Sequence, residues 1–174
     1  MLQLLLLRHA KSSWTDPGLD DLDRPLSKRG RETAEAMGRE MRALGLAPDL
    51  VLCSPAKRAR DTWKITAGQL QSAPRLVVDE NIYDFGNGGR VLGAIRAQGA
   101  AVPTLLVVGH NPSLERLSQR LAASGDRKLR KRLEQKYPTA ALAHIQFDAA
   151  SWPEMADGGE LLRFIRPRDI IPKA

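Results

Sequence analysis

The sequence predicts an α/β fold, a three-layer α/β/α sandwich around a mostly parallel central sheet. Short apolar runs alternate along the chain with segments of helical periodicity, the pattern of strands joined by helices. The composition, 43% hydrophobic and 27% charged, is that of a globular protein. The length of 174 residues matches one domain of roughly 150 residues. We therefore expect a single domain spanning residues 1–174.

Each predicted strand is a short apolar run bounded by polar or turn-forming residues. The runs lie at residues 2–7, 50–53, 75–78, 104–108, 141–147 and 161–165. The first run has neither the charged start nor the length of a signal peptide, and it is too short to span a membrane. We therefore expect a cytoplasmic protein with no membrane segment.

The predicted helices lie between these strands and begin at capping residues. Ser27 is a candidate N-cap for the first helix, and Gly45 is its expected stop. Ser54 and Pro55 suggest an N-cap and first helical residue after the second strand. Further helices are expected near residues 91–97 and 114–121.

The net charge of +7 is concentrated in one part of the chain. Residues 1–87 carry 13 basic and 12 acidic side chains, net +1, whereas residues 88–174 carry 14 and 8, net +6. Residues 127–136 alone carry six cations against one Glu, net +5. This segment can be a solvated helix, a nucleic-acid patch or a docking surface for an acidic phosphoprotein. Nucleic acid is the weaker interpretation because Tyr137 is the only aromatic residue nearby.

Two of the three histidines follow predicted strands directly. His9 stands after the first strand beside Arg8, and His110 stands after the fourth. Arg58 lies in the helix after the second strand, and Asn111 lies where a later helix starts. Ligands bind at the carboxyl ends of strands in open α/β sheets, so these residues are expected at one site.

This combination suits phosphoryl transfer. A neutral imidazole is a nucleophile toward phosphorus, arginine forks match phosphate oxygens, and a helix N-terminus supplies N–H donors. The sequence has no metal-binding motif or phosphate-binding glycine loop, and its single Cys, Cys53, excludes a disulfide framework. We expect neither a metal nor another cofactor.

The motifs resemble those of a known family. Residues 8–14 (RHAKSSW), 25–30 (PLSKRG), 54–62 (SPAKRARDT) and 107–111 (VVGHN) match, in order and spacing, the histidine phosphatase superfamily, with its phosphoglycerate-mutase-like fold. The first motif, the small size and residues 137–141 (YPTAA) are most similar to the SixA-type phosphohistidine phosphatase branch.

The resemblance implies roles for individual residues. His9 would be the nucleophile, passing through a covalent phosphohistidine, and Arg8, Arg58 and His110 would form the phosphate pocket. The resemblance also places Ser12 and Asn111 near the phosphate.

Many members use a glutamate as general acid in a loop after the third strand. The matching position here is Asp84, and Glu80 is the alternative; Asp84 could instead cap a turn. A shorter Asp would protonate an alkoxide less effectively, but a leaving imidazole needs less help.

The resemblance therefore implies a metal-independent phosphatase, acting on protein phosphohistidine. A broad-specificity small-molecule phosphomonoesterase of the same superfamily is the alternative, and a non-enzymatic phosphate-binding module is a further one. A phosphorylated protein or a small phosphorylated molecule would be the partner, and we expect a monomer.

Overall fold

The computed structural model describes residues 1–99 and 101–172. Its strands are β1 (Leu2–Arg8), β2 (Leu50–Cys53), β3 (Arg75–Val78), β4 (Thr104–Gly109), β5 (Ala122–Gly125), β6 (Leu142–Phe147) and β7 (Gly159–Ile165). They form one sheet in the order β3-β2-β4-β1-β6-β7-β5. β6 pairs antiparallel with both β1 and β7, and the other pairings are parallel. The prediction of a mostly parallel sheet is confirmed.

Helices cover both faces of this sheet. They are α1 (Lys28–Ala43), α2 (Lys57–Ala67), α3 (Gly89–Arg96), α4 (Ser113–Leu121), α5 (Arg127–Gln135) and α6 (Pro167–Ile170), with 3₁₀ turns at Asp21–Asp23 and Glu80–Ile82. α1 and α2 pack on one face, whereas α3, α4 and α5 pack on the other. The three-layer α/β/α prediction is confirmed. No helix in residues 1–99 and 101–172 combines the length and apolar character needed to cross a bilayer.

The central strands β1, β2 and β4 are mostly apolar because both of their faces are covered. In β1, Leu4 and Leu6 pack against α3 and α4, while Leu5 and Leu7 pack against α1 and α2. A strand between two helical layers has no solvent face, so its sequence lacks the alternation of a half-exposed strand. This explains the apolar run at residues 4–7 of β1.

Two local predictions need correction. Ser54 is not a helix N-cap: α2 begins at Lys57 and its N-cap is Ala56. The reason is that the Ser54 hydroxyl contacts His110, the residue that follows β4. The short edge strand β5 was not predicted, because its sequence, AASG, has no apolar run.

The basic segment 127–136 is mostly helical, as the solvated-helix interpretation expected. α5 turns Leu133 into the core and leaves Arg127, Lys128 and Lys131 exposed. The Asp126 side chain caps the helix by accepting from the backbone N–H groups of Lys128 and Leu129.

The start of α1 is tied to the loop that follows β1. The Ser27 hydroxyl accepts from the Gly30 N–H at 3.0 Å and donates to the Lys11 carbonyl at 3.1 Å. A Cβ at Gly30 would lie 2.1 Å from the Lys11 carbonyl oxygen. The glycine of the PLSKRG motif is therefore required for this close approach, and Gly45, at φ +69°, ends the helix as predicted.

We predict that Gly30→Ala destabilises the protein by about 1–3 kcal/mol, because the added methyl group forces the loop after β1 away from α1. The control is Gly93→Ala in α3, where a Cβ meets no atom within 4 Å. Alanine there should raise the free energy of unfolding by about 0.5–1 kcal/mol. Urea unfolding of both variants measures the difference, and a Gly30→Ala protein as stable as wild type would contradict the close contact.

Candidate active site

The two histidines at strand ends are brought together by the pairing of β1 with β4. Arg8 pairs with Gly109 at the last register position, and the His9 N–H donates to the Gly109 carbonyl at 3.0 Å. His9 and His110 therefore leave the sheet side by side, with ring centroids 5.1 Å apart. The predicted convergence of these residues is observed.

His9 is held as a neutral imidazole with one defined free nitrogen. Its Nδ1 lies 2.7 Å from the Ala10 carbonyl oxygen. A carbonyl can only accept, so Nδ1 carries the proton and Nε2 has the lone pair. Burial and the charges of Arg58 and Arg8 together lower the pKa of His9 to about 4, although the Ala10 contact acts in the opposite direction. Near pH 7 the ring is therefore uncharged.

His110 is buried between a hydroxyl and a guanidinium. Its Nε2 lies 2.7 Å from the Ser54 Oγ, and its Nδ1 lies 3.5 Å from an Nη of Arg58. Because arginine has no acceptor, the contacts favour a proton on Nε2 that is donated to Ser54. Burial lowers the pKa of His110 far below its usual value, and the neighbouring His9 and Arg58 add to this effect.

Two arginines beside these rings keep a donor free. Arg8 donates through Nη1 to the Tyr137 carbonyl at 2.8 Å, and Arg58, which is 2% exposed, donates through both terminal nitrogens to Asp21. In the described part of the chain, the Nε of Arg8 and the Nε of Arg58 are both buried without a hydrogen-bond partner. Buried N–H donors are normally paired, so these two atoms suit an anion that binds between the histidines and the arginines.

Ser12 and Asn111 lie at this site but are already bonded to protein groups. The Ser12 Oγ accepts from Arg24, which leaves its own O–H free to donate. The Asn111 side chain donates to the Tyr137 carbonyl at 3.0 Å and accepts from the Glu115 N–H at 3.3 Å. Asn111 thus fixes the start of α4 and shares a carbonyl with Arg8.

Asp84 lies on the loop beside His110. It is buried and accepts from the Ser113 hydroxyl at 2.9 Å, at the N-terminus of α4. The rings of its neighbours Tyr83 and Phe85 lie 5.4 and 4.8 Å from that of His110. The Ser113 contact fits the turn-capping role, and the proximity of its neighbours to His110 fits the catalytic one. Glu80, the alternative acid, is exposed in the preceding 3₁₀ turn.

Four further side chains belong to the site and were not predicted as functional: Ser54, Asp21, Arg24 and Tyr83. Ser54 had a signal in its position directly after β2. The sequence gives no comparable sign for Asp21, Arg24 and Tyr83, because the sequence of a polar loop or a loop tyrosine is the same whether or not the residue contacts a distant arginine. The third histidine, His144, lies within β6 and contacts Gln3 and Arg163 instead.

Comparison with known proteins agrees with this geometry. Residues 4–93 match the model of the histidine phosphatase superfamily (branch 1). An uncharacterized protein of Mycobacterium tuberculosis strain H37Rv is 39% identical over 165 residues, covering 93% of this chain and 100% of the relative.

Solved structures show the same fold over nearly the whole chain. A proposed phosphohistidine phosphatase SixA from Nakamurella multipartitia has a TM-score of 0.83 at 26% identity, covering 95% of this chain and 96% of its own. A second proposed SixA, from Agrobacterium tumefaciens, has a TM-score of 0.78 at 29% identity, with coverages of 95% and 98%. Family motifs, fold and paired strand-end histidines agree, and the chain belongs to the histidine phosphatase superfamily (branch 1), in its SixA-type branch.

Proposed function

We propose that this phosphatase uses His9 as its nucleophile and acts on protein phosphohistidine. The observation that carries the proposal is the neutral His9 ring beside His110 and two buried arginines whose Nε donors are free. A phosphate-binding module needs the donors but has no need for a nucleophile with a depressed pKa, so the arrangement favours catalysis.

The proposed reaction has two steps. The Nε2 lone pair of His9 attacks phosphorus; an N–P bond forms, and the bond to the leaving group breaks and takes its electron pair. Arg8 and Arg58 stabilise the charge on the equatorial oxygens, and His110 would add a donor once its Nδ1 gains a proton. Water then attacks the phosphorus of phospho-His9 and passes a proton to the Asp84 carboxylate, the N–P bond breaks with its electron pair returning to Nε2, and phosphate leaves with His9 restored. Asp84 is proposed to supply a proton to the leaving group in the first step.

The surface around the site supports a macromolecular substrate. Trp14, Leu22 and Phe85 are 74%, 41% and 46% exposed. Trp14 lies under the Arg24 guanidinium, Leu22 follows Asp21 in the 3₁₀ turn, and Phe85 packs on His110. Exposed aromatic and aliphatic side chains beside a catalytic site are typical of protein contact surfaces. A small-molecule phosphomonoesterase is the alternative, and it would need no such rim.

We predict that His9→Ala loses at least about 10³-fold in kcat/KM on an aryl phosphate and on a phosphohistidine peptide, because no other group forms the covalent intermediate. The control is His144→Gln, which alters a histidine of β6 outside the site and should keep activity. Hydrolysis of both substrates and of a phosphoserine peptide is measured for each protein. An active His9→Ala enzyme would refute the mechanism, and a preference for the phosphoserine peptide would refute the proposal that protein phosphohistidine is the substrate.

We predict that Asp84→Asn separates substrates by their leaving groups. On an alkyl phosphate the variant should lose about 10²-fold or more, because an alkoxide needs protonation. On phosphohistidine the loss should be below about tenfold, since imidazole leaves more readily. Equal large losses on both substrates would exclude this role, and the same pattern in Glu80→Gln would assign the acid to Glu80.

We predict that His9 stays neutral as the protein is acidified from pH 8 to about 5, and that it gains its proton near pH 4, because burial and the arginines disfavour the cation. Nitrogen-15 NMR of the imidazole rings measures this, with His9→Ala used to assign the signals. A midpoint near the ordinary value of 6.5 would contradict the burial of the ring in a positive environment.

A further inference from the structure

Asp21 joins three elements at the candidate active site. Its Oδ2 accepts from Arg58 of α2 at 2.9 Å and from the Tyr83 hydroxyl at 2.5 Å, and its Oδ1 accepts from Arg24 at 3.0 Å. Its backbone carbonyl accepts from the other terminal nitrogen of Arg58 at 2.6 Å. One residue of the 3₁₀ turn therefore holds both Nη atoms of the buried arginine.

This contact fixes the direction of the remaining donor of Arg58. A guanidinium is planar and rigid, so holding Nη1 and Nη2 sets where the Nε–H points. Asp21 occupies the end of the fork that is remote from Nε, and the Nε is the buried atom without a partner among the described residues. The guanidinium is thus bound through both Nη atoms and has a buried Nε–H without a partner in the described part of the chain.

We propose that Asp21 is a positioning residue that holds Arg58 so that its Nε–H donates to the bound phosphate. The identity of the anion as phosphate rests on the proposed function, whereas the hydrogen bonds that hold Arg58 do not depend on it. Arg24 takes part in the same assembly, because it donates to Asp21 and to the Ser12 hydroxyl at once. The turn Asp21–Asp23 thereby links Arg58 to Ser12.

Charge gives a second reason for an aspartate at this position. Arg58 is 2% exposed, and a buried guanidinium requires a counterion when no phosphate is bound. Burial acts to raise the pKa of Asp21, but hydrogen bonds from Tyr83, Arg58 and Arg24 together lower it below its usual value. The carboxylate therefore stays ionised in the free site and keeps Arg58 in place.

A different role for the same contact predicts the opposite result. If the carboxylate held Arg58 in place of a phosphate oxygen, it would compete with substrate, and its removal would strengthen anion binding. The free Nε argues against this, because the atom that can face the anion is not the one that Asp21 binds.

The test is a double-mutant cycle of Asp21→Ala and Arg58→Ala, with Asp21→Asn as a milder variant. Tungstate affinity is measured by calorimetry, and kcat/KM is measured on an aryl phosphate. We expect Asp21→Ala to weaken tungstate binding and lower kcat/KM, each by about 10–100-fold, as loss of an orienting contact typically does. In the Arg58→Ala background the same substitution should change either quantity by less than about twofold, because Asp21 then has no arginine to position.

Asp20→Asn is the matched control. Asp20 is the residue next to Asp21, and its side chain makes no capping hydrogen bond, so the substitution removes an equal charge without removing such a contact. It should leave both measurements within about twofold. Tighter tungstate binding or faster turnover in Asp21→Ala would overturn the proposal in favour of competition. An undiminished loss in the Arg58→Ala background would overturn it in favour of a general structural role. If wild type binds tungstate but hydrolyses nothing, the proposed function fails while the cycle on tungstate affinity still decides the role of Asp21.

Discussion

The parallel pairing of β1 with β4 is the constraint on which the site depends. It places the ends of two strands that are about a hundred residues apart in the chain at the same level, so that Arg8 is opposite Gly109 and His9 is beside His110. Both strands are buried on both faces, and a shift by one residue would exchange the side chains packed on α1 and α2 for those packed on α3 and α4. Packing of the hydrophobic core therefore fixes the geometry of the polar site.

The positive charge of the arginines has two effects at the site, one on the protonation of the histidines and one on anions that approach it. Burial and the positive charge of the arginines together disfavour protonation of His9, which keeps the ring uncharged near neutral pH, and positive charge also attracts anions. Buried guanidiniums are costly without partners. The partners are the Tyr137 carbonyl for Arg8 and Asp21 for Arg58, and in the described part of the chain the Nε–H of each arginine has no partner. The contacts that stabilise the two guanidiniums therefore leave these Nε donors unused.

Local patterns predicted most of the fold because the determinants are local. Continuous apolar runs marked β1, β2 and β4, and Ser27 with Gly45 marked both ends of α1. Ser54 shows where this reasoning fails. A serine before a proline is a common helix start, but here its hydroxyl contacts His110, which lies 56 positions further along the chain. The catalytic role of Asp84 stays a prediction, since its contact with Ser113 serves a turn equally well.

The sequence by itself predicted the class of fold, the end of the sheet that carries the candidate site, and four side chains of that site: Arg8, His9, Arg58 and His110. Each follows a strand or begins a helix, and parallel strands bring such positions together. Only the tertiary structure decided which partners these residues have. Asp21, Arg24 and Tyr83 reach the site from loops, and no periodicity relates a loop residue to an arginine 37 positions away. The physical reason is that the periodicity of apolar residues indicates which side chains are buried. Hydrogen bonds between loops depend instead on how the helical layers pack against the sheet.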